Sequence, residues 1–375
     1  MSDTRIKDRV LCNPSVKLEK GVSYSFIDME AITPGIKAVG PVESSEYSGQ
    51  SCSKFCNGDT LMARITPCLE NGKITQYMGK TAKAFGSTEF FVFRGIPKIT
   101  DNDYVYYLMS TPYIRKSAVN SMTGASGRQR ADITFISKIK WDFPSYQEQK
   151  RIAEILSVYD NLIEVNNKRI KVLEQMAENL YKEWFVRFRF PGHESTKFEN
   201  GIPQTWEIKR IRDIVKRLPF GTLYKAEDTE REGNVVVIDQ SQAECVGYHS
   251  NEPSHIASTD YPIALFGDHS CKYQLMITPF SLSENVIPYV GKEGVLTTYL
   301  YYLTHGTVET TEYKRHWSEF TAKKVLVAPI YLQKQFIEFV NPSILMKHKL
   351  SMMNRRLMNQ RNLLLPRLMS GKLEV

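Results

Sequence analysis

Basic and polar side chains gather in a few segments that the sequence predicts to be loops. Arg, Lys and Gln side chains on a loop can donate hydrogen bonds to base edges in the major groove of DNA, or to its phosphates. An ordinary exposed basic side chain gives the same pattern, so the sequence does not separate these uses. The candidates are Arg128, Gln129, Arg130, Arg64 and Lys73 in the first half of the chain, and Lys314, Arg315, His316, Trp317, His269 and Lys272 in the second half.

Catalytic patterns are incomplete throughout the chain. The segments "NPSV" (13–16) and "NPSI" (341–344) lack the second proline and the aromatic residue with which an amino-methyltransferase holds a flipped base. Ile74 stands where a phosphate-binding loop ending in "GKT" (79–81) needs its first glycine. The E-x-K triplets at 207–209 and 312–314 supply one carboxylate each, fewer than a metal-dependent nuclease needs. We therefore predict no catalytic residue, no metal site and no enzymatic activity of the chain by itself.

The overall composition favours a folded protein with an anionic partner. The formal net charge is +8 over 375 residues, with 42% hydrophobic residues. The six cysteines form no CxxC pair, and a site built on Cys52, Cys56 and Cys68 lacks a fourth ligand. Charged residues interrupt the N-terminal segment, and the uncharged run Val295–Val308 is shorter than the roughly 20 residues of a membrane span. We expect a cytoplasmic protein that does not contact a membrane.

Several short segments occur twice in the same order. "RIKDRVLCNP" (5–14) returns as "RIRDIVKRLP" (210–219), and "YVYYL" (104–108) returns as "YLYYL" (299–303). Pro144 corresponds to Pro329, and "NKRI" (167–170) corresponds to "NRRL" (354–357). Because the period is about half the chain, the pattern predicts a duplicated unit rather than a solenoid.

Each copy ends in a long heptad pattern. In the first, Asn166 is the one polar member, and in the second Gln360 is. Two such seams predict an antiparallel coiled coil in which both polar residues fix the register. The alternative is an amphipathic helix that packs on its own domain. The predicted seam positions are Ile152, Leu156, Tyr159, Ile163, Asn166, Ile170, Leu173, Ala177, Leu180 and Trp184, followed by Met346, Leu350, Met353, Leu357, Gln360 and Leu364.

Turn signals and short β-prone runs predict an α+β (mixed α/β) fold with a pseudo-two-fold internal repeat. We assign a globular domain to residues 1–143 and a helical spacer arm to 144–190. A linker with a second globular domain follows at 191–328, and a C-terminal helical arm at 329–375. A helix of about 35 residues is roughly 50 Å long, and B-DNA turns once in about 34 Å, so two similar domains on a stiff spacer could contact one duplex twice. A bivalent protein-binding adaptor has the same features, and a nuclease with an unrecognised site is a further alternative.

The chain resembles the specificity (S) subunits of type I DNA restriction–modification systems. The resemblance rests on "FPSYQEQKRIAEILS" (143–157) with the heptads after it, "GIPQTWEIKRIRDI" (201–214), "FGDHSCK" (266–272) and "NLLLPRLMSGKLEV" (362–375). Two departures occur: the first "RIKD" lacks a preceding Trp, and the second arm has "QKQ" (333–335) in place of the Glu-Gln of the first.

The resemblance implies a non-catalytic subunit that recognises double-stranded DNA. Two target recognition domains would each contact one half of a bipartite, asymmetric sequence, while the arms set the gap and dock two modification subunits. Those methyltransferase partners would carry S-adenosylmethionine and methylate adenine N6. Restriction subunits would use ATP and Mg for translocation and cleavage. No cofactor is implied in this chain.

Overall fold

The computed structural model describes residues 4–40, 42–125, 127–230, 232–241, 244–310, 312 and 314–374. The chain divides into two compact units, the first formed by residues 1–169 with 350–375 and the second by residues 170–349. Both contain helices and strands, so the predicted mixed α/β class is confirmed.

The first unit is built on two sheets. Within the described residues its strands are β1 (Val10–Cys12), β2 (Ser23–Ile27), β3 (Glu43–Glu46), β4 (Ser53–Cys56), β5 (Thr60–Ala63), β6 (Ile74–Gln76), β7 (Lys83–Gly86) and β8 (Phe90–Gly95). One sheet has the antiparallel order β1-β8-β5-β6, and the other has the order β3-β2-β7-β4 with β2 parallel to β7. The described helices are α1 (Asn102–Ser110), α2 (Pro112–Asn120), α3 (Ile133–Lys138), the first part of α4 (Tyr146–Tyr181) and the end of α8 (Ile330–Met369).

Strands β5 and β8 are apolar along almost their whole length because both faces of their sheet are covered. Leu61 and Val92 belong to one buried cluster, whereas Met62 and Phe93 belong to another. Side chains alternate between the faces of a strand, so this division follows directly from the period of two. The sheet therefore lies between two cores of the unit.

The second unit repeats this arrangement. Its described strands are β9 (Phe198–Glu199), β10 (Ile202–Pro203), β11 (Glu207–Arg210), β12 (Val215–Arg217), β13 (Val235–Ile238), β14 (Gly247–His249), β15 (Ile263–Gly267), β16 (Tyr273–Met276), β17 (Phe280–Leu282), β18 (Val286–Gly291) and β19 (Lys324–Val327). Its described helices are the end of α4, α5 (Ile211–Ile214), α6 (Thr297–Thr304), α7 (Trp317–Ala322) and the first part of α8 (Ile330–Met369).

The strand order β12-β18-β15-β16 matches the order β1-β8-β5-β6 of the first unit. The parallel pair β13–β17, with β14 antiparallel beside β13, matches β2–β7 with β3. Strand β11 pairs with β19, where the first unit has a single bridge between Arg5 and Lys140. The duplication predicted from short sequence matches therefore extends to the strand topology.

The start of each long helix is hydrogen-bonded to its globular domain through the side chain of one glutamine. Gln149, near the start of α4, donates from Nε2 to the carbonyls of Ile99 and Pro144 and accepts from the Asp101 N–H. Gln333, near the start of α8, makes the same set of bonds. Its Nε2 donates to Gly294 and Ala328, and its Oε1 accepts from the Leu296 N–H. Gln333, and not the exposed Gln335, is thus the counterpart of the glutamine in the first arm.

Helices α4 and α8 pair antiparallel in each unit. In the first unit Asn166 Nδ2 donates to Asn354 Oδ1 at 2.8 Å, and Asp160 pairs with Arg361. In the second unit Lys347 Nζ lies 2.5 Å from Glu174 Oε1. The ten seam positions predicted for the first arm are all turned away from solvent. On α4, Ile152, Leu156, Ile163, Asn166 and Ala177 are buried, and Tyr159, Ile170, Leu173 and Leu180 are partly buried; Trp184, in the helical turn after α4, is buried.

The seam predicted for α8 is wrong at several positions. Met346, Met353 and Gln360 are exposed, whereas Leu350 is buried and Leu357 and Leu364 are partly buried. Asn354 and Arg361 occupy the buried face of the helix in their place. The heptad pattern selected apolar residues and therefore included the methionines. The inward residues Asn354 and Arg361 are polar and contact the polar residues Asn166 and Asp160 on α4.

The alternative of helices packed on their own domains is also partly realised. Ile152 and Leu156 at the start of α4 belong to the core of the first unit, and Leu332 and Phe336 at the start of α8 belong to that of the second. Within the described residues, no helix combines the length and apolar composition needed to cross a bilayer. No group of three or more His, Cys, Asp or Glu side chains in this described part is placed to hold a metal ion.

Candidate nucleic-acid interface

The basic loop of the first unit is anchored to the sheet where β5 ends and β8 begins. The Arg64 N–H donates to the Glu89 carbonyl at 3.0 Å, and the Ala131 N–H donates to the Arg64 carbonyl at 2.8 Å. Thr123 and Arg130 exchange two backbone hydrogen bonds, which close the loop between them. The loop therefore leaves a rigid base, with Arg130 at the joint.

The Glu89 carboxylate holds two guanidinium groups at this joint. Its oxygens accept from Arg130 Nη2 at 2.6 Å and from Arg64 Nε at 3.1 Å. The hydrogen bond from Arg130, followed by that from Arg64, keeps the pKa of Glu89 below its ordinary value. Arg64 also lies over the Phe91 ring at 5.7 Å, whereas the Arg130 side chain is 45% exposed. Arg130 is thus oriented by protein contacts and still accessible.

The tip of the loop presents Arg128 and Gln129. Arg128 is exposed, and the Gln129 N–H donates to Thr66 Oγ1 at 3.1 Å. Gly124 and Gly127 have φ values of +119° and +82°, a region that favours glycine, so the tight path of the loop depends on them.

The second unit builds the same joint from different residues. The Asp268 N–H donates to the Asn285 carbonyl at 2.8 Å, and the His316 N–H donates to the Asp268 carbonyl at 2.8 Å. These bonds correspond to those of Arg64, Glu89 and Ala131 in the first unit. Arg315, the residue before His316, therefore occupies the place of Arg130.

Arg315 also faces a carboxylate, that of Asp268. Asp268 directly follows β15, whereas Glu89 of the first unit directly precedes β8. The Arg315 Nε lies 3.8 Å from Asp268 Oδ2, and the Arg315 side chain is 77% exposed. Asp268 stands where the first unit has Arg64. The two units thus present one arginine each at the same place in the fold. A carboxylate accepts hydrogen bonds from Arg130 in the first unit and lies 3.8 Å from Arg315 in the second. Lys314 beside it is exposed, with Nζ 3.7 Å from Glu312.

Of two predicted contact residues in the second unit, His316 belongs to its interior and Trp317 is partly buried. His316 is fully buried, its Nδ1 lies 3.3 Å from Glu319 Oε2, and its Nε2 lies 3.2 Å from the Glu312 carbonyl. The bond to His316 lowers the pKa of Glu319. Trp317 donates its N–H to Asp268, and its ring packs against Phe320 at 5.1 Å. The prediction that His316 contacts DNA is therefore wrong, because its ring is buried and bonded inside the protein. Trp317 is partly exposed, so its contact with DNA stays a prediction.

Three other candidates are partly buried and have partners inside the protein. Lys73 Nζ donates to the Met29 carbonyl at 2.8 Å, and Lys272 Nζ donates to the Asp239 carbonyl at 3.3 Å. Burial lowers the pKa of Lys272. His269 is half-buried, and its N–H donates to Gln240. These side chains support the loops from which they project, so they are weaker contact candidates than Arg128, Arg130 and Arg315.

The second unit contains a serine–histidine pair that no sequence motif predicted. His249 Nε2 lies 2.9 Å from Ser281 Oγ, and both residues are buried. The Asn251 N–H donates to His249 Nδ1 at 3.1 Å, so Nε2 carries the proton and donates to the serine. A histidine in this tautomer cannot take the serine proton, and the Tyr224 ring stacks on it at 4.1 Å. The pair is structural.

Glu89 is the residue of this site that the prediction missed. The sequence match of Phe85, Thr88 and Glu89 with Phe280, Ser283 and Glu284 drew attention to the start of β8. The strand pairing places Asn285, and not Glu284, at the position of Glu89, so that match was one residue out of register and did not identify the carboxylate as the partner of two arginines.

Known proteins resemble parts of this chain. Residues 17–175 match the model of a family described as type I restriction modification DNA specificity domain. The type I restriction enzyme MjaIX specificity subunit of Methanocaldococcus jannaschii is 33% identical over 119 residues, which are 31% of this chain and 27% of that protein. The putative MjaX specificity subunit of the same organism is 26% identical over 66% of this chain and 59% of its own length.

These matches span from about a quarter to three fifths of the length of the two relatives. A solved structure of a type I restriction–modification S subunit from M. genitalium aligns with 98% of this chain and 94% of its own, at 15% identity and a TM-score of 0.49.

Proposed function

We propose that the chain is a specificity subunit of a type I restriction–modification system, a non-catalytic subunit that recognises a bipartite, asymmetric DNA sequence. The match of residues 17–175 to the type I DNA specificity domain supports this proposal. Residues 1–143 and 191–328 would each contact one half of the target, and the arms 144–190 and 329–375 would set the gap between the halves. The observation that carries the proposal is the shared joint, which presents Arg130 and Arg315 at the same place of two duplicated folds.

The chemistry of the joint suits DNA. A guanidinium group can form two hydrogen bonds to the O6 and N7 atoms of guanine, and an arginine that is already oriented loses less entropy when it binds. The net charge of +8 supports additional phosphate contacts. The next candidates for DNA contact are Arg128, which is exposed at the loop tip of the first unit, and Lys314, which is exposed in the second unit.

We also propose that α4 docks the modification subunits, two per complex. On its solvent side, α4 carries an apolar stripe at spacings of three and four residues, formed by Ile155, Val158, Leu162 and Val165 in the first unit. A row of exposed apolar side chains at heptad spacing is suited to receive another helix. The partners would supply S-adenosylmethionine and adenine-N6 methylation, and the restriction subunits ATP-driven cleavage with Mg.

Substitution of the two equivalent arginines tests DNA recognition. The target is first identified from the methylated adenines in a host that carries the system. Arg130→Ala and Arg315→Ala should then each weaken binding of the target duplex by about 1–3 kcal/mol, with a smaller effect on a scrambled duplex.

Arg189→Ala is the matched control, because Arg189 is also exposed and paired with a glutamate, Glu183, but lies outside the joint. Equal target affinity of Arg315→Ala and Arg189→Ala would remove Arg315 from the interface. No DNA binding by the wild-type protein with its modification subunits would instead favour the protein-binding adaptor.

A further inference from the structure

The pairing of α4 with α8 includes three polar contacts at heptad spacing. At the first, Asn354 accepts from Asn166 and donates to Asn167, each at 2.8 Å. Seven residues before Asn167 and seven after Asn354, Asp160 pairs with Arg361 in the first unit. Both of these charged side chains are buried.

The third contact lies in the second unit. Seven residues after Asn167 and seven before Asn354, Glu174 pairs with Lys347, and the N···O distance is 2.5 Å. Both side chains are less than half exposed. The two ion pairs are therefore equally spaced in sequence from the asparagine contact.

The internal repeat makes these two ion pairs counterparts of each other. Aligning "NKRI" with "NRRL" matches Asn167 with Asn354, and counting from there matches Asp160 with Lys347 and Glu174 with Arg361. At each of these positions α4 carries an acid and α8 carries a base. The duplicated arms have thus diverged in charge at the two places where they meet.

Like arms would meet with like charges. If two copies of α4 paired in this antiparallel register, Asp160 of one would face Glu174 of the other, twice. Two copies of α8 would place Lys347 against Arg361, also twice. The asparagines fall at the centre of the register and would find an amide partner in every combination, so they do not distinguish the pairings, whereas the charges do.

We propose that these two ion pairs select the partner of each arm, so that α4 accepts an α8 helix and rejects a second copy of α4. They keep the duplicated arms of one chain paired with each other and oppose assembly of two chains through like arms. The burial of Asp160 and Arg361 makes the first pair the stronger selector, since an unmatched charge there has little water around it. The proposal does not depend on DNA binding.

Exchanging the charges tests this selection in the full-length chain. One variant, with Asp160→Arg and Glu174→Lys, has two basic arms, and the other, with Lys347→Glu and Arg361→Asp, has two acidic arms. Each alone should unfold at lower temperature than the wild-type chain. Co-expressed, they should form a one-to-one dimer of twice the 43.1 kDa chain mass in light scattering. Two monomers with wild-type unfolding temperatures would overturn the proposal.

The partly exposed pair Glu174–Lys347 provides a second test if the substitutions of the buried pair Asp160–Arg361 prevent folding. Glu174→Lys and Lys347→Glu should each lower the unfolding temperature, and the double variant should regain most of the loss. An additive loss in the double variant would contradict the selection. Glu207→Lys with Lys209→Glu is the control, because that exposed pair lies within one strand and joins no arms.

Discussion

At the level of single residues, a carboxylate determines how each candidate arginine is presented. Glu89 receives Arg64 and Arg130 together, so the joint of the first unit keeps one net positive charge. Asp268 accepts the backbone N–H of His316 at its carbonyl and that of Trp317 at Oδ1, and its Oδ2 lies 3.8 Å from Arg315 Nε. The second joint is therefore neutral when only the Asp268–Arg315 pair is counted. The same place in the two folds therefore differs in charge, which suits two different half-sites.

Glu89→Gln should lower the unfolding free energy at pH 7 and make that free energy depend less on pH in the acid range. The pKa of Glu89 is lowered in the folded protein, so its contribution is present above the unfolded-state pKa of about 4.3 and is lost as the pH falls through the folded-state value. We expect a deficit of about 1 kcal/mol in the unfolding free energy at pH 7 that shrinks towards pH 3. Denaturant unfolding across this range measures it.

Glu199→Gln, at an exposed position of β9, serves as the control for the loss of a negative charge. A deficit for Glu89→Gln that stayed constant from pH 7 to pH 3 would mean that ionisation of Glu89 does not contribute.

The sequence predicted Arg130 and Arg315 as contact candidates, but it did not predict that His316, next to Arg315, is buried. In "EYKRHW" every side chain from Lys314 to Trp317 is of a type that contacts DNA, and the local pattern does not say which ones face inward. His316 is buried because its ring bonds to Glu312 and Glu319 within the same loop and helix. Which of these side chains faces inward depends on the bond between the His316 N–H and the carbonyl of Asp268, which follows β15. No short-range sequence pattern predicts that contact.

At the level of elements, each long helix is fixed to its unit by a buried amide. An amide is suited to this place because it donates two hydrogen bonds and accepts one, and a carboxylate has no N–H to donate. Gln149 and Gln333 therefore transmit the orientation of each globular domain to its arm through three bonds each.

Gln149→Glu and Gln333→Glu should each destabilise the protein by about 2–4 kcal/mol, because two buried carbonyls lose their donor and face a negative charge. Thermal and denaturant unfolding would measure the loss. Gln147→Glu and Gln335→Glu are matched controls, since both glutamines are exposed on the same helices two residues away. Similar stabilities of the buried and exposed variants would show that the amide bonds contribute little.

Heptad spacing predicted the inward face of α4 and was wrong at three of the six positions predicted on α8. Nine of the ten predicted α4 positions are apolar, so the periodic signal was strong. On α8 the inward residues include Asn354 and Arg361, whose partners are 188 and 201 positions away in the chain. A polar residue is recognised as an interior one only when its partner is known, and the partner is supplied by the tertiary fold.

At the level of the whole molecule, the duplication was predictable and the details of the sheets were not. A few matched segments in constant order implied two similar units, and the strand orders agree with that. The pairing of β2 with β7, which are separated by many residues, left no local trace in the sequence. Short strands of two to six residues carry too little periodicity to determine which of them are neighbours.

The apolar stripe on α4 should determine assembly with the modification subunits. Val158→Lys with Leu162→Lys should weaken that assembly at least about tenfold while leaving the unfolding temperature of the free chain nearly unchanged, because both side chains are about half exposed. Titration calorimetry with the purified modification subunit measures the loss. Ile256→Lys, an exposed apolar position away from α4, is the control, and equal affinities for both variants would contradict docking on α4.

The membership of α8 in the first unit has a consequence for how this protein is made. Leu365, Leu368 and Met369 share a core with Tyr104 and Ile152, yet the ribosome adds them long after those residues have emerged. At about 5–20 residues per second, the delay is roughly ten to forty seconds, during which apolar surface of the earlier-made half stays open. The part of the protein that is translated first is therefore the last to be finished, and nascent chains of this length offer chaperones a defined period of binding.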